Sequence, residues 1–217
     1  MAAAHHPEDP LHTTVVDHPL AAQALGRLRD ETTDRAAFRQ AMDDLAGLLV
    51  VEATRTLPTV EVDVRTPLAP TTVVRVDPAP LTVPVLRAGL GLLPGVLRLL
   101  PDAPTGFIGV ARDEVTLEPV PYMDSVPADL GGRPVLVLDP MLATGGSLAF
   151  ACGLLQGRNP GRVTAVCVLA APEGVRRIDA SGLVDDLVVA AIDERLNDVA
   201  YIVPGLGDAG DRLFGTA

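Results

Sequence analysis

Asp139, Pro140, Met141, Leu142, Ala143, Thr144, Gly145, Gly146 and Ser147 follow directly on an uncharged apolar run at residues 134–138. Alternating Val and Leu with no charge predict a buried parallel strand. The apolar stretch 148–155 beyond them predicts a helix. The nine-residue loop therefore leads into a helix N-terminus, where unpaired N–H groups and a partial positive charge favour an anion. Gly145 and Gly146 let backbone N–H groups come close to that anion. Thr144 and Ser147 add hydroxyl donors. Asp139, at the carboxyl end of the strand, is placed to accept hydrogen bonds from sugar hydroxyls. A phosphate cradle beside a hydroxyl acceptor suits a sugar phosphate. The Gly-Lys-Ser/Thr of a nucleoside-triphosphate loop is missing, and all 17 basic residues of the chain are Arg.

The elements that must position this loop are legible in outline. Residues 18–30 and 34–55 predict two helices, the second with Asp34 as N-cap and Phe38, Met42, Leu45, Leu48 and Leu49 near helical spacing. Residues 59–65 and 71–77 alternate β-branched with polar residues around Pro67 and Pro70, a hairpin pattern. Strands are predicted at 81–86, 106–111, 134–138, 163–170 and 186–192, and helices at 89–100 and 173–180. The Pro-rich stretch 114–126 suits an exposed ribbon. Strands alternating with helices from residue 81 onward imply an α/β fold, with a largely parallel central sheet flanked by helices. Ligands of such sheets sit beyond the carboxyl ends of the strands. Arg87, Arg112 and Asp139 all fall there, and the carboxyl-terminal segment follows the last strand. Read alone, Arg87 fits a surface ion pair and Asp208 a turn cap.

At 217 residues with 48% hydrophobic content, the chain suits one domain with a substantial core. A formal net charge of −11 argues against a general nucleic-acid surface. An anionic substrate must then be met by local Arg and backbone N–H groups. Cys152 and Cys167 form neither a Cys-x-x-Cys pair nor a zinc spacing, and read as inert core thiols in a reducing, cytoplasmic compartment. No secretory pattern or membrane-length apolar run is evident. His5, His6, His12 and His18 read as part of, or close to, a flexible tail at residues 1–14 rather than a metal site.

Four segments together resemble the uracil phosphoribosyltransferase family. They are Val83-Pro84-Val85-Leu86-Arg87-Ala88-Gly89-Leu90-Gly91, Thr116-Leu117-Glu118-Pro119-Val120-Pro121-Tyr122, the 139–147 loop, and Tyr201-Ile202-Val203-Pro204-Gly205-Leu206-Gly207-Asp208-Ala209-Gly210-Asp211-Arg212. The resemblance implies a type I phosphoribosyltransferase fold over residues 15–217, with a projecting β-arm at 114–127 and a small hood at 193–217. It implies pyrimidine salvage: uracil plus phosphoribosyl pyrophosphate (PRPP) giving uridine monophosphate (UMP) and diphosphate. Arg87 and Arg112 would contact the diphosphate, and residues 139–147 the ribose and its 5′-phosphate. Ile202, Gly207, Asp208 and Ala209 would line the uracil pocket, with Asp208 also near the phosphoribosyl group. Mg²⁺ would be bound mainly through the diphosphate and water, without a dedicated set of protein ligands. A homodimer, a GTP effector and a cis peptide at Leu86–Arg87 are further expectations. Two residues depart from the family pattern: Ala111 stands where Tyr is usual, and Arg195 where Gly is usual. The alternative is a pyrimidine-responsive regulator that keeps the fold and binds RNA; the acidic balance and the lack of an Arg-rich patch count against it.

Overall fold

The computed structural model describes residues 11–112 and 119–215. A short strand β1 (His12–Val15) leads into helices α1 (Pro19–Arg29) and α2 (Arg35–Ala53). Side chains cap both helices: His18 Nδ1 accepts from Leu20 N at 3.1 Å, and Asp34 accepts from Ala37 N at 2.9 Å. The hairpin β2 (Thr59–Arg65) and β3 (Pro70–Val76) follows, then β4 (Leu81–Leu86), a 3₁₀ turn (Ala88–Gly91) and α3 (Leu93–Leu99). The predicted helix 89–100 is thus broken near Leu92, just before Pro94. Next come β5 (Ile108–Arg112), β6 (Pro119–Asp124), β7 (Val135–Leu138), β8 (Met141–Leu142) and α4 (Gly146–Gln156). The chain ends through β9 (Val163–Ala170), α5 (Pro172–Ser181), β10 (Asp186–Ile192), β11 (Arg195–Leu196), β12 (Ile202–Val203) and α6 (Ala209–Phe214).

The main sheet runs β1-β10-β9-β7-β4-β5-β6, with β8 also pairing with β9. Every pair is parallel except β5 with β6. The central strands β4, β7 and β9 are buried on both faces, which is why they read as continuous apolar runs. Leu136 and Leu138 of β7 pack with Phe38, Met42 and Leu45 of α2. Val135 and Val137 point the other way, to Leu148, Cys152 and Leu155 of α4. The alternation along one strand supplies both cores.

Two expectations need correction. Residues 12–14 are not tail: they belong to β1, which pairs in parallel with Asp186–Val189 of β10. Leu11 N adds a 3.0 Å bond to Asp179 Oδ1. The reason is the open edge of β10, whose backbone groups take a partner. Residues 1–10 lie outside the described residues. The arm assigned to 114–127 falls partly outside them too, and its described part, β6, is the antiparallel edge of the main sheet. The β2–β3 hairpin pairs with no other described strand.

Candidate active site

Site residues gather where β4 and β7 end. Beyond β4 the chain turns at once: Leu86–Arg87 is a cis peptide, as expected, and Arg87 begins the 3₁₀ turn. Gly89 is required there, because a Cβ would lie 2.4 Å from the carbonyl oxygen of Leu138. The turn is thereby seated on the end of β7, beside Asp139. Arg87 itself is exposed, and its Nη2 stands 3.8 Å from Asp211 Oδ1 of α6.

The 139–147 loop is pinned from below. Pro140 O accepts from Val168 N at 2.9 Å and Leu169 N at 3.0 Å, and Leu142 O accepts from Ala171 N at 2.9 Å. Pro140 is buried and Leu142 joins the core, so these two serve as the loop's footing. Asp139, Met141, Ala143, Thr144, Gly145, Gly146 and Ser147 line a cleft of about 230 Å³ with Arg87. Burial pushes the Asp139 carboxyl up to about 6, against the opposing N–H of Met141. Behind it Cys152 and Cys167 are fully buried. Burial first, and the Asp139 charge second, push the Cys152 thiol up to about 12 and raise Cys167 well above its ordinary value. Both are inert, as their apolar settings suggested.

A second cleft of about 300 Å³ opens alongside, under the hood. Ile202, Gly207, Asp208 and Ala209 line it, together with Val199 and Tyr201. The two clefts share Ala88, Met141, Ala143 and Thr144, so a ligand can run from one into the other. The hood is a two-stranded antiparallel pair, β11 with β12, followed by the cis Val203–Pro204 bond and α6. Asn197 Oδ1 braces it, accepting from Val199 N at 3.1 Å and Tyr201 N at 2.8 Å. Asp208 caps α6, accepting from Asp211 N at 2.8 Å.

Sequence reading missed what holds the hood in place. Arg29 of α1 grips the Asp193 carboxylate with two bonds, 2.8 and 2.6 Å, and donates to Gly205 O at 2.9 Å. Asp193 in turn accepts from Gly205 N at 2.9 Å. Burial alone would raise the Asp193 carboxyl; the hydrogen bonds from Arg29 and Gly205, with the Arg29 charge, outweigh it and hold it below the ordinary range. Arg212 of α6 donates to Leu28 O, to Leu206 O at 3.0 Å and to Asp30 O at 2.6 Å, and lies 4.3 Å over the Phe38 ring. Two arginines thus tie the hood to the first helices.

Ala111 and Arg195 line neither cleft. Arg112 is the last residue of β5, and its side chain lies outside the described part. Ala111 is exposed on the same strand, paired with Val120. Arg195 pairs with Val203 and points its side chain to Glu194 at 3.1 Å, so this departure leaves the hood strands intact. No helix among the described residues is long and apolar enough to cross a membrane.

The chain matches the family model described as Uracil phosphoribosyltransferase over residues 15–216. Relatives named uracil phosphoribosyltransferase include one from Streptomyces avermitilis, 56% identical over 206 residues, covering 94% of this chain and 98% of the relative. Another, from Corynebacterium diphtheriae, is 53% identical over 201 residues, covering 93% of this chain and 95% of the relative. Among solved structures, the AQ2163 protein from Aquifex aeolicus matches with a TM-score of 0.88 at 39% identity, covering 94% of this chain and 99% of that one. The adenine phosphoribosyl transferase of Trypanosoma brucei matches at a TM-score of 0.51 and 12% identity over 83% of this chain and 82% of that one, a likeness of fold alone.

Proposed function

The chain belongs to the uracil phosphoribosyltransferase family, and we propose how its residues carry that family's reaction, the transfer of the phosphoribosyl group from 5-phospho-α-D-ribose 1-diphosphate to uracil, giving UMP and diphosphate. The observation that carries the reading is the shared wall of the two clefts. One cleft offers a loop of N–H and hydroxyl donors with Asp139 and Arg87; the other offers a hood of backbone groups. The ribose and its 5′-phosphate take the first and uracil the second, so the ring carbon that changes bonds lies between them. Nothing among the described residues favours an RNA-binding regulator.

As diphosphate leaves, positive charge grows on the ribose and negative charge on the leaving group. Asp139 stabilises the first and fixes the ribose hydroxyls. Arg87 and Arg112 meet the second, their planar forks suited to phosphate oxygens. No cluster of three or more His, Cys, Asp or Glu suited to a metal occurs among the described residues. The carboxylates facing the clefts, Asp139 and Asp208, are the hard oxygens that would meet the water shell of a Mg²⁺ carried mainly by the diphosphate. When bound, that ion would neutralise charge on the leaving group. The buried thiols fit a reducing, cytoplasmic setting.

The test is UMP formation from uracil and PRPP, with and without Mg²⁺ and with and without GTP, followed across pH. The sign follows from Asp139. Its carboxyl is raised from 3.8 to about 6, so in the free protein the neutral form predominates only below about pH 6, and the stability it contributes, full below 3.8, is lost as pH rises through about 6. Ribose hydroxyls and a cationic ring favour the ionised form. PRPP affinity is therefore expected to rise about tenfold from pH 5 to pH 7, since one group with that value gains about tenfold in ionised fraction. Asp139→Asn should flatten this step. No UMP at any pH would end the reading.

The assembly is proposed as a homodimer. Val120, Tyr122 and Met123 of β6 are 47%, 56% and 43% exposed, and Val74 of the β2–β3 hairpin is 69% exposed. Apolar side chains gathered on a sheet edge and a free hairpin call for cover. Light scattering of the full chain at micromolar concentration should give twice the chain mass, and Tyr122→Asp should shift it toward the monomer. A wild-type monomer would refute the dimer.

A further inference from the structure

The first turn of α5 is packed directly against the phosphate-cradling loop. A Cβ on Gly174 would meet the carbonyl oxygens of Ala143 at 2.5 Å and Leu142 at 2.6 Å. The carbonyl oxygen of Gly174 lies 3.2 Å from where a Cβ of Gly145 would stand. Three residues on, and so on the same face of the helix, comes Arg177. Its stem runs along Gly145, with Cβ and Cδ each 3.4 Å from that position. Its head reaches Gly146: Nη1 lies 3.6 Å, and Cζ 3.9 Å, from where a Cβ of Gly146 would be. Thr144 Oγ1 stands 3.6 Å from the same point. A guanidinium and a loop hydroxyl thus flank one glycine at the start of α4.

Arg177 is also free to act on an anion. It is exposed, and no hydrogen bond or ion pair to it occurs among the described residues. Glu173 is its natural partner one turn earlier on α5, yet the two form no ion pair, and Glu173 Oε2 is buried without a hydrogen bond. In a chain of net charge −11, an unpaired guanidinium laid along an anion-binding loop is placed for a phosphate.

We propose that Arg177 is a substrate-binding residue, its guanidinium gripping the 5′-phosphate held by the 139–147 loop. The assignment rests on the reading of that loop as the 5′-phosphate site. Arg suits the task, because several donors in a fixed plane match phosphate oxygens. It supplies the cation that a loop without lysine lacks. The diphosphate is not its target, since Arg87 stands at the end of β4, whereas Arg177 lies against Gly145 and Gly146.

The test is calorimetric binding of UMP, which carries the 5′-phosphate, and of pyrophosphate, which stands for the leaving group, to the full chain. Arg177→Ala should weaken UMP about tenfold, the size of one charge-assisted hydrogen bond at an exposed site, and leave pyrophosphate unchanged. Arg177→Lys should keep part of the UMP affinity. Arg176→Ala removes the same charge from the neighbouring exposed position and should change neither. UMP binding by Arg177→Ala within about twofold of wild type would overturn the assignment. An equal loss in Arg176→Ala, or a loss confined to pyrophosphate, would overturn it as well. Thr144→Ala separates the two levels. If it weakens UMP and Arg177→Ala does not, only Arg177 is wrongly placed; if neither weakens UMP, the reading of the loop falls too.

Discussion

Arg87→Ala is expected to lower kcat/KM for PRPP by about 30- to 1000-fold, the equivalent of roughly 2–4 kcal/mol of transition-state stabilisation. The size follows from where the side chain stands. Arg87 is exposed at the mouth of the cleft, and the carboxylate beside it, Asp211, is 3.8 Å away and itself open to solvent. A surface pair of that kind contributes little, so Arg87 is not spent on the fold. Its charge is available where negative charge grows on departing diphosphate. The loss should fall mainly on kcat, because the interaction strengthens as the bond breaks. Arg87→Lys should recover only part, since a point charge lacks the bidentate fork. Thermal stability should stay near wild type in both variants. Turnover of the alanine variant at the wild-type rate would remove Arg87 from the mechanism.

Much of the scaffold that carries Arg87 is written locally. Strands β4, β9 and β10 run over the same residues that their apolar patterns mark, 81–86, 163–170 and 186–192. They are buried on both faces, so nothing else in the chain competes for the assignment. Helices α1 and α2 start one residue beyond His18 and Asp34 because those side chains cap them. The elements that sequence reading missed are short or polar. The strand His12–Val15 takes its place from the open edge of β10, not from its own composition. Two-residue strands such as β8, β11 and β12 carry no period to read.

The site divides the same way. Its anion-binding half is one continuous stretch, so its chemistry is visible in residue types alone. Its hood is held by contacts far apart in sequence. Arg29 reaches Asp193 across 164 positions, and Arg212 reaches Leu28 across 184. On a linear chain Arg29 is just a basic residue in the last turn of a helix, where a cation is ordinary. Arg177 is hidden for a similar reason. Only the packing of α5 on the loop turns an exposed helical arginine into a neighbour of Gly146.

Base choice gives the largest effect, and it turns on whether the hood reads uracil with its backbone. Ile202 is only 5% exposed, and its side chain belongs to the core with Leu206 and Leu213. Its backbone pairs with Leu196. Ile202→Ala should therefore cost stability, about 2–4 kcal/mol for a buried truncation, while the N–H and C=O directions in the pocket survive and the KM for uracil stays within a few-fold of wild type. Gly207 is the opposite case. A Cβ there would meet nothing nearer than Arg212 Cδ at 3.9 Å, yet the residue sits at φ +81°. The space is available and the backbone conformation is not, least of all for a β-branched side chain. Gly207→Val must move the chain between Leu206, whose carbonyl Arg212 holds, and Asp208, which caps α6. Uracil use should collapse in that variant, with PRPP binding weakened far less. In the wild type the same geometry should discriminate against cytosine, which exchanges the C4 carbonyl acceptor for an amino donor and the N3–H donor for an acceptor. Sites built on such hydrogen bonds separate analogues by about 10⁴-fold or more. The measurement is the ratio of kcat/KM for uracil over cytosine at neutral pH, in wild type and in both variants. A wild-type ratio near unity, or a Gly207→Val enzyme that uses uracil as well as Ile202→Ala does, would mean that side chains and not fixed backbone groups read the base.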